Sequence, residues 1–185
     1  MMCCSRIGDE QDFAALFDEY KNLVYKTAYL QLGGAHEAED ALQEVFVKVY
    51  ESLDSYDPEK GAFTTWLHRI TINQCLNRRR KRHPLSIPPD RIPWLTSHTS
   101  SPESWTQMSE EIETVRQAVS RLSDKQRAVV ILRYYRELSY AEIADILDIP
   151  LGTVKSRLNL AHRTLRKELE GGETSVKARF SQWEV

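Results

Sequence analysis

The sequence predicts an all-α protein made of two small helical domains joined by a Pro/Ser-rich linker. Three observations carry this. Apolar residues recur at i, i+3, i+4 and i+7 through both halves, the period of a helix with one buried face. No apolar/polar alternation argues for a strand, and only 7 of the 185 residues are glycine. Five of the seven prolines (Pro84, Pro88, Pro89, Pro93, Pro102) fall together beside Ser97, Ser100 and Ser101, which no helix interior tolerates. The length suits two small domains, and an apolar share of 41% excludes wholesale disorder.

The elements follow in order. Phe13, Leu16, Phe17, Tyr20, Leu23, Val24, Thr27 and Ala28 form one helical stripe, stopped by Gly33–Gly34. A second helix runs from about His36 to Leu53, burying Leu42, Val45, Phe46, Val49 and Leu53. Asp54 to Gly61 is turn-rich. A third helix starts near Phe63 and runs through Trp66, Leu67, Ile70 and Gln74 into the basic run Arg78–Arg82. Residues 1–83 make the first domain, 84–107 the linker, 108–170 the second domain and 171–185 a tail. Trp94 and Trp105 are apolar for a free linker and are expected to dock. The second domain has helices at about 108–122, 124–135, 140–147 and 151–169, with Ser139 and Glu142 at capping-box spacing.

Net charge is −2, which alone argues against a nucleic-acid partner. Its distribution reverses that inference. Residues 78–83 and 152–167 each carry a net +5 without an acid, whereas residues 1–77 carry −7. Two concentrated basic segments in an acidic background are the footprint of localised phosphate contact. No apolar run approaches the ~18 residues that cross a bilayer, and the N-terminus lacks a signal peptide's hydrophobic stretch. A cytoplasmic protein without membrane insertion is therefore expected. Cys3, Cys4 and Cys75 form no Cys-x-x-Cys spacing, and no His pair has helical spacing, so neither a metal site nor a cofactor is expected.

Leu138 to Leu158 has the grammar of a helix-turn-helix. Ile143 and Leu147 point inward, Ala144 is small where the helices cross, and Asp148 occupies the left-handed turn position. Pro150 then ends one helix and suits the start of the next. Val154, Leu158, Ala161, Leu165 and Leu169 form one stripe. The opposite face carries Ser156, Asn159, Leu160, Arg163 and Lys167, with Lys155 on its flank. Polar side chains near the start of a second helix are what base-edge reading in a major groove requires. The motif marks DNA binding without separating a repressor from an initiation factor.

The first half separates them. His36-Glu-Ala-Glu-Asp-Ala-Leu-Gln-Glu-Val-Phe-Val-Lys-Val-Tyr50, Leu53-Asp-Ser-Tyr-Asp57 and Phe63-Thr-Thr-Trp-Leu-His-Arg-Ile-Thr-Ile-Asn73 resemble sigma domain two of the extracytoplasmic-function sigma factors. Gly152-Thr-Val-Lys-Ser-Arg-Leu158 resembles their sigma domain four. The likeness covers about residues 10–82 and 108–169, in the family's order.

The resemblance implies a bacterial subunit that binds core RNA polymerase (β′ clamp and β flap), directs promoter-specific initiation and has no catalysis of its own. It also implies promoter DNA and an anti-sigma factor as partners. Its polymerase-binding positions are Asp40, Gln43, Glu44 and Phe46. The −10 positions are Tyr56, Phe63, Trp66, Asn73 and Asn77, with Arg78, Arg79 and Arg80 on phosphates; for Trp66, core packing and DNA contact weigh equally. The −35 positions are Thr153, Lys155, Ser156, Arg157, Asn159, Leu160 and Arg163. Leu160 stands where the family commonly has an arginine, and His162 replaces another basic residue. An exposed leucine fits a thymine methyl, so the expected change is in sequence preference. A conventional helix-turn-helix regulator remains the rival reading, and an enzyme is a distant third.

Overall fold

The computed structural model describes residues 10–82 and 117–169. The linker 84–107 with its tryptophans, the tail 171–185, Cys3, Cys4 and most of the helix expected at 108–122 lie outside these. The described residues are helical, without a strand.

The first lobe is a three-helix unit. Helix α1 (Glu10–Leu32) ends because Gly33 takes φ +88°, a left-handed conformation open to glycine, and donates its N–H to the Tyr29 carbonyl at 2.8 Å. Helix α2 (Ala35–Ser52) buries Ala38, Ala41, Leu42, Val45, Phe46 and Val49, and its last turn tightens into a 3-10 turn at Leu53–Ser55. Helix α3 (Phe63–Arg82) follows the loop. Large residues fill one end: Phe17 meets Phe46 edge-on at 4.7 Å, beside Val24, Val49 and Leu67. At the other end Ala28, Ala38, Ala41 and Cys75 let the helices approach closely. Each large side chain buried here contributes ~1.5–3 kcal/mol.

The second lobe comprises α4 (Asp124–Val130), a wider π turn at Ile131–Tyr135, α5 (Tyr140–Leu147) and α6 (Leu151–Leu169). The expected 124–135 helix therefore changes pitch midway: the Arg136 N–H reaches back five residues to the Ile131 carbonyl, 3.1 Å away. Both α4 and α5 start in capping boxes. Ser139 with Glu142 is the expected one, and Ser123 with Gln126 is a second that sequence reading missed. Buried Val129, Leu132, Ile143, Val154, Leu158 and Leu165 form the core.

The lobes are packed against each other. Ile72 and Leu76 of α3 join the second lobe's apolar cluster. Gln31 donates its side-chain N–H to the Asp124 carbonyl at 3.0 Å, and the Arg127 Nη1 donates to the Gln31 carbonyl at 2.7 Å. Arg127 is buried yet solvated by protein, since it also donates to the carbonyls of Val119, Ser120 and Leu122. Burial lowers its pKa to about 10, so it stays charged at neutral pH.

Candidate nucleic-acid interface

Helix α3 divides into three faces at about 100° per residue. One carries Leu67, Thr71 and Cys75 into the first lobe's core, all buried. A second carries His68, Arg69, Ile72, Leu76 and Arg79 toward the second lobe. The third runs from Trp66 through Asn73 and Asn77 to Arg80, and the last three are exposed.

At the head of that third face stands an aromatic triangle. Ring centroids of Tyr56 and Phe63 lie 5.3 Å apart, Tyr56 and Trp66 5.4 Å, and Phe63 and Trp66 5.5 Å. Tyr20 supports it from α1, 5.1 Å from Phe63. The Tyr56 hydroxyl donates to the Gly61 carbonyl at 3.0 Å, which pins the loop against the helix start. All three rings are half-buried, so they pack on one side and present an edge to solvent on the other. Below them, Glu44, Gln74, Asn77, Arg78, Arg80 and Lys81 line an open groove.

In the second lobe the turn between α5 and α6 has the geometry expected of a helix-turn-helix. Asp148 takes φ 50°, ψ 55°, the left-handed cap. The Pro150 carbonyl accepts the N–H groups of Thr153 (2.8 Å) and Val154 (3.2 Å), which starts α6. Val154, Leu158, Ala161 and Leu165 are buried. Lys155, Ser156, Asn159, Leu160 and Arg163 are exposed, and Thr153 and Arg157 are half-buried.

The same two regions stand out when the chain is compared with known proteins. The family profile described as sigma-70 region 2 matches residues 16–84, and that described as sigma-70, region 4 matches residues 112–165. The chain is 39% identical over 171 residues to the ECF RNA polymerase sigma factor SigW of Bacillus subtilis, covering 88% of this chain and 91% of that protein. It is 33% identical over 175 residues to the ECF RNA polymerase sigma-E factor of Escherichia coli K12, covering 88% and 89%.

The chain belongs to the extracytoplasmic-function sigma factors. It is a sigma factor that directs promoter-specific transcription initiation. Its fold matches two solved complexes. One is the sigma factor RpoE with the anti-sigma factor NepR from Bartonella quintana (TM-score 0.66, 24% identity, 88% of this chain and 99% of that one). The other is CnrH with the cytosolic domain of CnrY (TM-score 0.64, 21% identity, 90% and 92%).

Within this sigma factor, five expected site residues have other engagements. Phe46 is only 4% exposed and packs against Phe13 and Phe17, so its side chain is a core element. The Arg78 guanidinium bonds both Glu44 and Asp40, the latter at 2.7 Å, and its side chain is 21% exposed. It joins α3 to α2 instead of standing clear for phosphate. Arg79 bonds Asp124 and the Leu32 carbonyl, each at 2.8 Å. Asp40 and Glu44 are thus internal ion-pair partners as well as surface residues, and Gln74 adds a bond to Glu44 at 3.1 Å. His162 turns inward to the Tyr134 hydroxyl, 2.7 Å from its Nε2. Burial and the neighbouring Arg166 lower its pKa, so it adds no charge to the surface of α6 at neutral pH.

Sequence reading also missed Val47 and Tyr50, which are 57% and 70% exposed. They continue the ridge of Asp40, Gln43 and Glu44 on the side of α2 opposite its buried stripe. The available signal was two large apolar residues outside that stripe. Among the described residues no group of His, Cys, Asp and Glu could hold a metal ion, and no helix is long and apolar enough to cross a membrane.

Proposed function

We propose that residues 1–83 form the polymerase-binding and promoter-melting domain and residues 108–170 the −35 domain, with 84–107 joining them. The observation that carries this is the third face of α3. A half-buried aromatic triangle leads into exposed amides and a cation along one helix, the combination that holds an extruded base. Unstacking a base costs a few kcal/mol, and stacking on aromatic side chains returns ~1–3 kcal/mol per base. In this reading Tyr56, Phe63 and Trp66 supply the platform, Asn73 and Asn77 the base-edge hydrogen bonds, and Arg80 the phosphate contact.

Helix α6 reads the −35 element through Ser156, Asn159, Leu160 and Arg163, with Lys155 on the backbone. The ridge from Asp40 through Gln43 and Glu44 to Val47 and Tyr50 docks on the polymerase β′ clamp, and the second domain meets the β flap. Exposed aromatic and aliphatic side chains flanked by charge suit a protein partner better than DNA. An anti-sigma factor is the expected regulator, since RpoE and CnrH of similar fold are solved with NepR and CnrY. The protein works in the cytoplasm with polymerase, which performs the chemistry.

Run-off transcription with core polymerase tests the reading. Promoter-specific transcripts are expected only when the protein is added, and Asn73→Ala with Asn77→Ala should abolish open-complex formation while the protein still co-migrates with core enzyme. Unselective transcripts without co-migration would overturn it.

A further inference from the structure

Gln74 lies on the flank of the third face of α3 and is half-buried. At about 100° per residue it sits between Asn77 and Lys81 on one side and Arg78 on the other. It is none of the −10 positions that the resemblance implies, yet it lines the open groove together with Asn77, Arg80, Lys81 and, from α2, Glu44. One carboxylate beside the cations of Arg78, Arg80 and Lys81 leaves that groove positive, so a nucleic acid is attracted to it and not repelled.

What sets Gln74 apart is that its amide is held. Its Nε2 donates to Glu44 Oε2 at 3.1 Å, and the other oxygen of that carboxylate accepts from the Arg78 guanidinium, which also bonds Asp40 at 2.7 Å. A carboxylate paired with a guanidinium only accepts hydrogen bonds. The amide therefore has one orientation, with its nitrogen toward α2 and its carbonyl oxygen away from it. That oxygen is open. The side-chain atoms enclosed without a partner among the described residues are Gln31 Oε1 and His68 Nδ1, so Gln74 Oε1 reaches the groove. No described residue holds the amides of Asn73 and Asn77 in this way, and each is free to turn either edge to a base.

We propose that Gln74 is a specificity-determining residue for the −10 region and that Glu44 is its positioning residue. The fixed carbonyl oxygen accepts a hydrogen bond from an exocyclic amino group on the major-groove edge, N6 of adenine or N4 of cytosine, on the strand lying along α3. Facing O6 of guanine or O4 of thymine, the same oxygen meets a second acceptor, and both are left unpaired. An amide that by itself pairs with either kind of edge is thereby made to read one kind. This rests on the assignment of α3 to the −10 region. It gives Glu44 a task beyond the ridge of α2, since its carboxylate decides which end of Gln74 the DNA meets.

The test offers holoenzyme made with the full chain a set of templates randomised through the −10 region. Run-off from each base at each position is compared as a ratio, which does not depend on how much holoenzyme forms. Wild type is expected to favour adenine or cytosine at one position by about fivefold. Gln74→Leu, of similar size but without an acceptor, should lose that preference at this position alone. Glu44→Gln should lose it too, because a neighbouring amide lets Gln74 turn either end outward; whatever it does to polymerase binding, the ratio reports base choice. The favoured base is then replaced by purine, for adenine, or by 2-pyrimidinone, for cytosine, each lacking the amino group. Wild-type run-off should fall about fivefold more than that of Gln74→Leu, which also shows which base is read. An unchanged preference in Gln74→Leu, or an equal response of both proteins to loss of the amino group, would overturn the proposal while promoter-specific run-off keeps the assignment of α3. Preference lost in Gln74→Leu but kept in Glu44→Gln would overturn the role of Glu44. Absence of promoter-specific run-off in wild type would sink the assignment of α3 and the proposal with it.

Discussion

The Nε of Arg136 donates to the Nε2 of His68 at 3.1 Å, joining the helix-turn-helix lobe to the side of α3 that faces it. Burial, then the nearby guanidinium, lowers the His68 pKa from 6.5 to about 4. A folded-state value below the unfolded one means that the unfolded chain binds the extra proton across this window. Stability from His68 is therefore complete above pH 6.5 and is lost as pH falls toward 4, by up to ~3 kcal/mol. His162, lowered in the same direction, adds to the slope. Urea unfolding at pH 7 and pH 4.5 should show the loss, and His68→Gln, which keeps an acceptor for Arg136, should lessen it. Equal pH slopes for wild type and His68→Gln would show that His68 is not the titrating group.

Arg78 and Arg80 are two residues apart and should fail in different assays. Arg78 joins α3 to the carboxylates of Asp40 and Glu44, so Arg78→Ala should cost about 1 kcal/mol of stability, discounted for the partial exposure of its partners. Arg80 is exposed on the face that carries Asn73 and Asn77. Arg80→Ala should leave the melting temperature unchanged but reduce the salt dependence of promoter binding by about one phosphate contact. Calorimetry of both variants, beside holoenzyme binding at two salt concentrations, separates the roles. A loss of salt dependence in Arg78→Ala at unchanged stability would reverse the assignment.

Most of the fold was legible because it rests on local signals. Gly33, the Ser139–Glu142 pair, Asp148 and Pro150 each act within a few residues, and the sequence places them where the structure uses them. The aromatic triangle was legible only through the family resemblance, which set Tyr56 in the loop beside Phe63 and Trp66 at the start of the next helix. What stayed hidden depends on residues far apart in sequence. Ile72 and Leu76 form an apolar pair outside the first lobe's stripe, but no periodicity says which surface covers them. Arg79 reads like any member of a basic run until Asp124, 45 positions away, is seen beside it. Phe46 reads both ways, as a member of the buried stripe and as a family position, and the stripe agrees with its burial.

Leu160 and His162 are the two departures from the family's usual pattern, and the structure gives them different fates. His162 is held by the Tyr134 hydroxyl, so Tyr134→Phe should cost ~0.5–1.5 kcal/mol of stability with the order of promoter preference unchanged. Leu160 is 51% exposed on the outer face of α6, where truncation removes little packing. Leu160→Ala should stay within ~0.5 kcal/mol of wild-type stability yet weaken discrimination at one −35 position by about 1 kcal/mol, roughly fivefold. Selection from a randomised −35 library by holoenzyme would show the relaxed position. An identical consensus for wild type and Leu160→Ala would mean that this side chain reads no base.

Lys155 tests the docking of α6 itself. It is exposed one residue beyond buried Val154, in the first turns of the helix, where a cation reaches the backbone flanking the major groove. A phosphate contact carries no sequence information, so Lys155→Ala should weaken binding to strong and weak −35 elements by the same factor. The slope of log affinity against log salt should fall by about one. Helix stability should hardly change, since alanine is the better helix former. Footprints over a potassium chloride series measure all three effects. If weakening is confined to one −35 sequence at an unchanged salt slope, Lys155 contacts a base; if nothing weakens, α6 enters the groove by another edge.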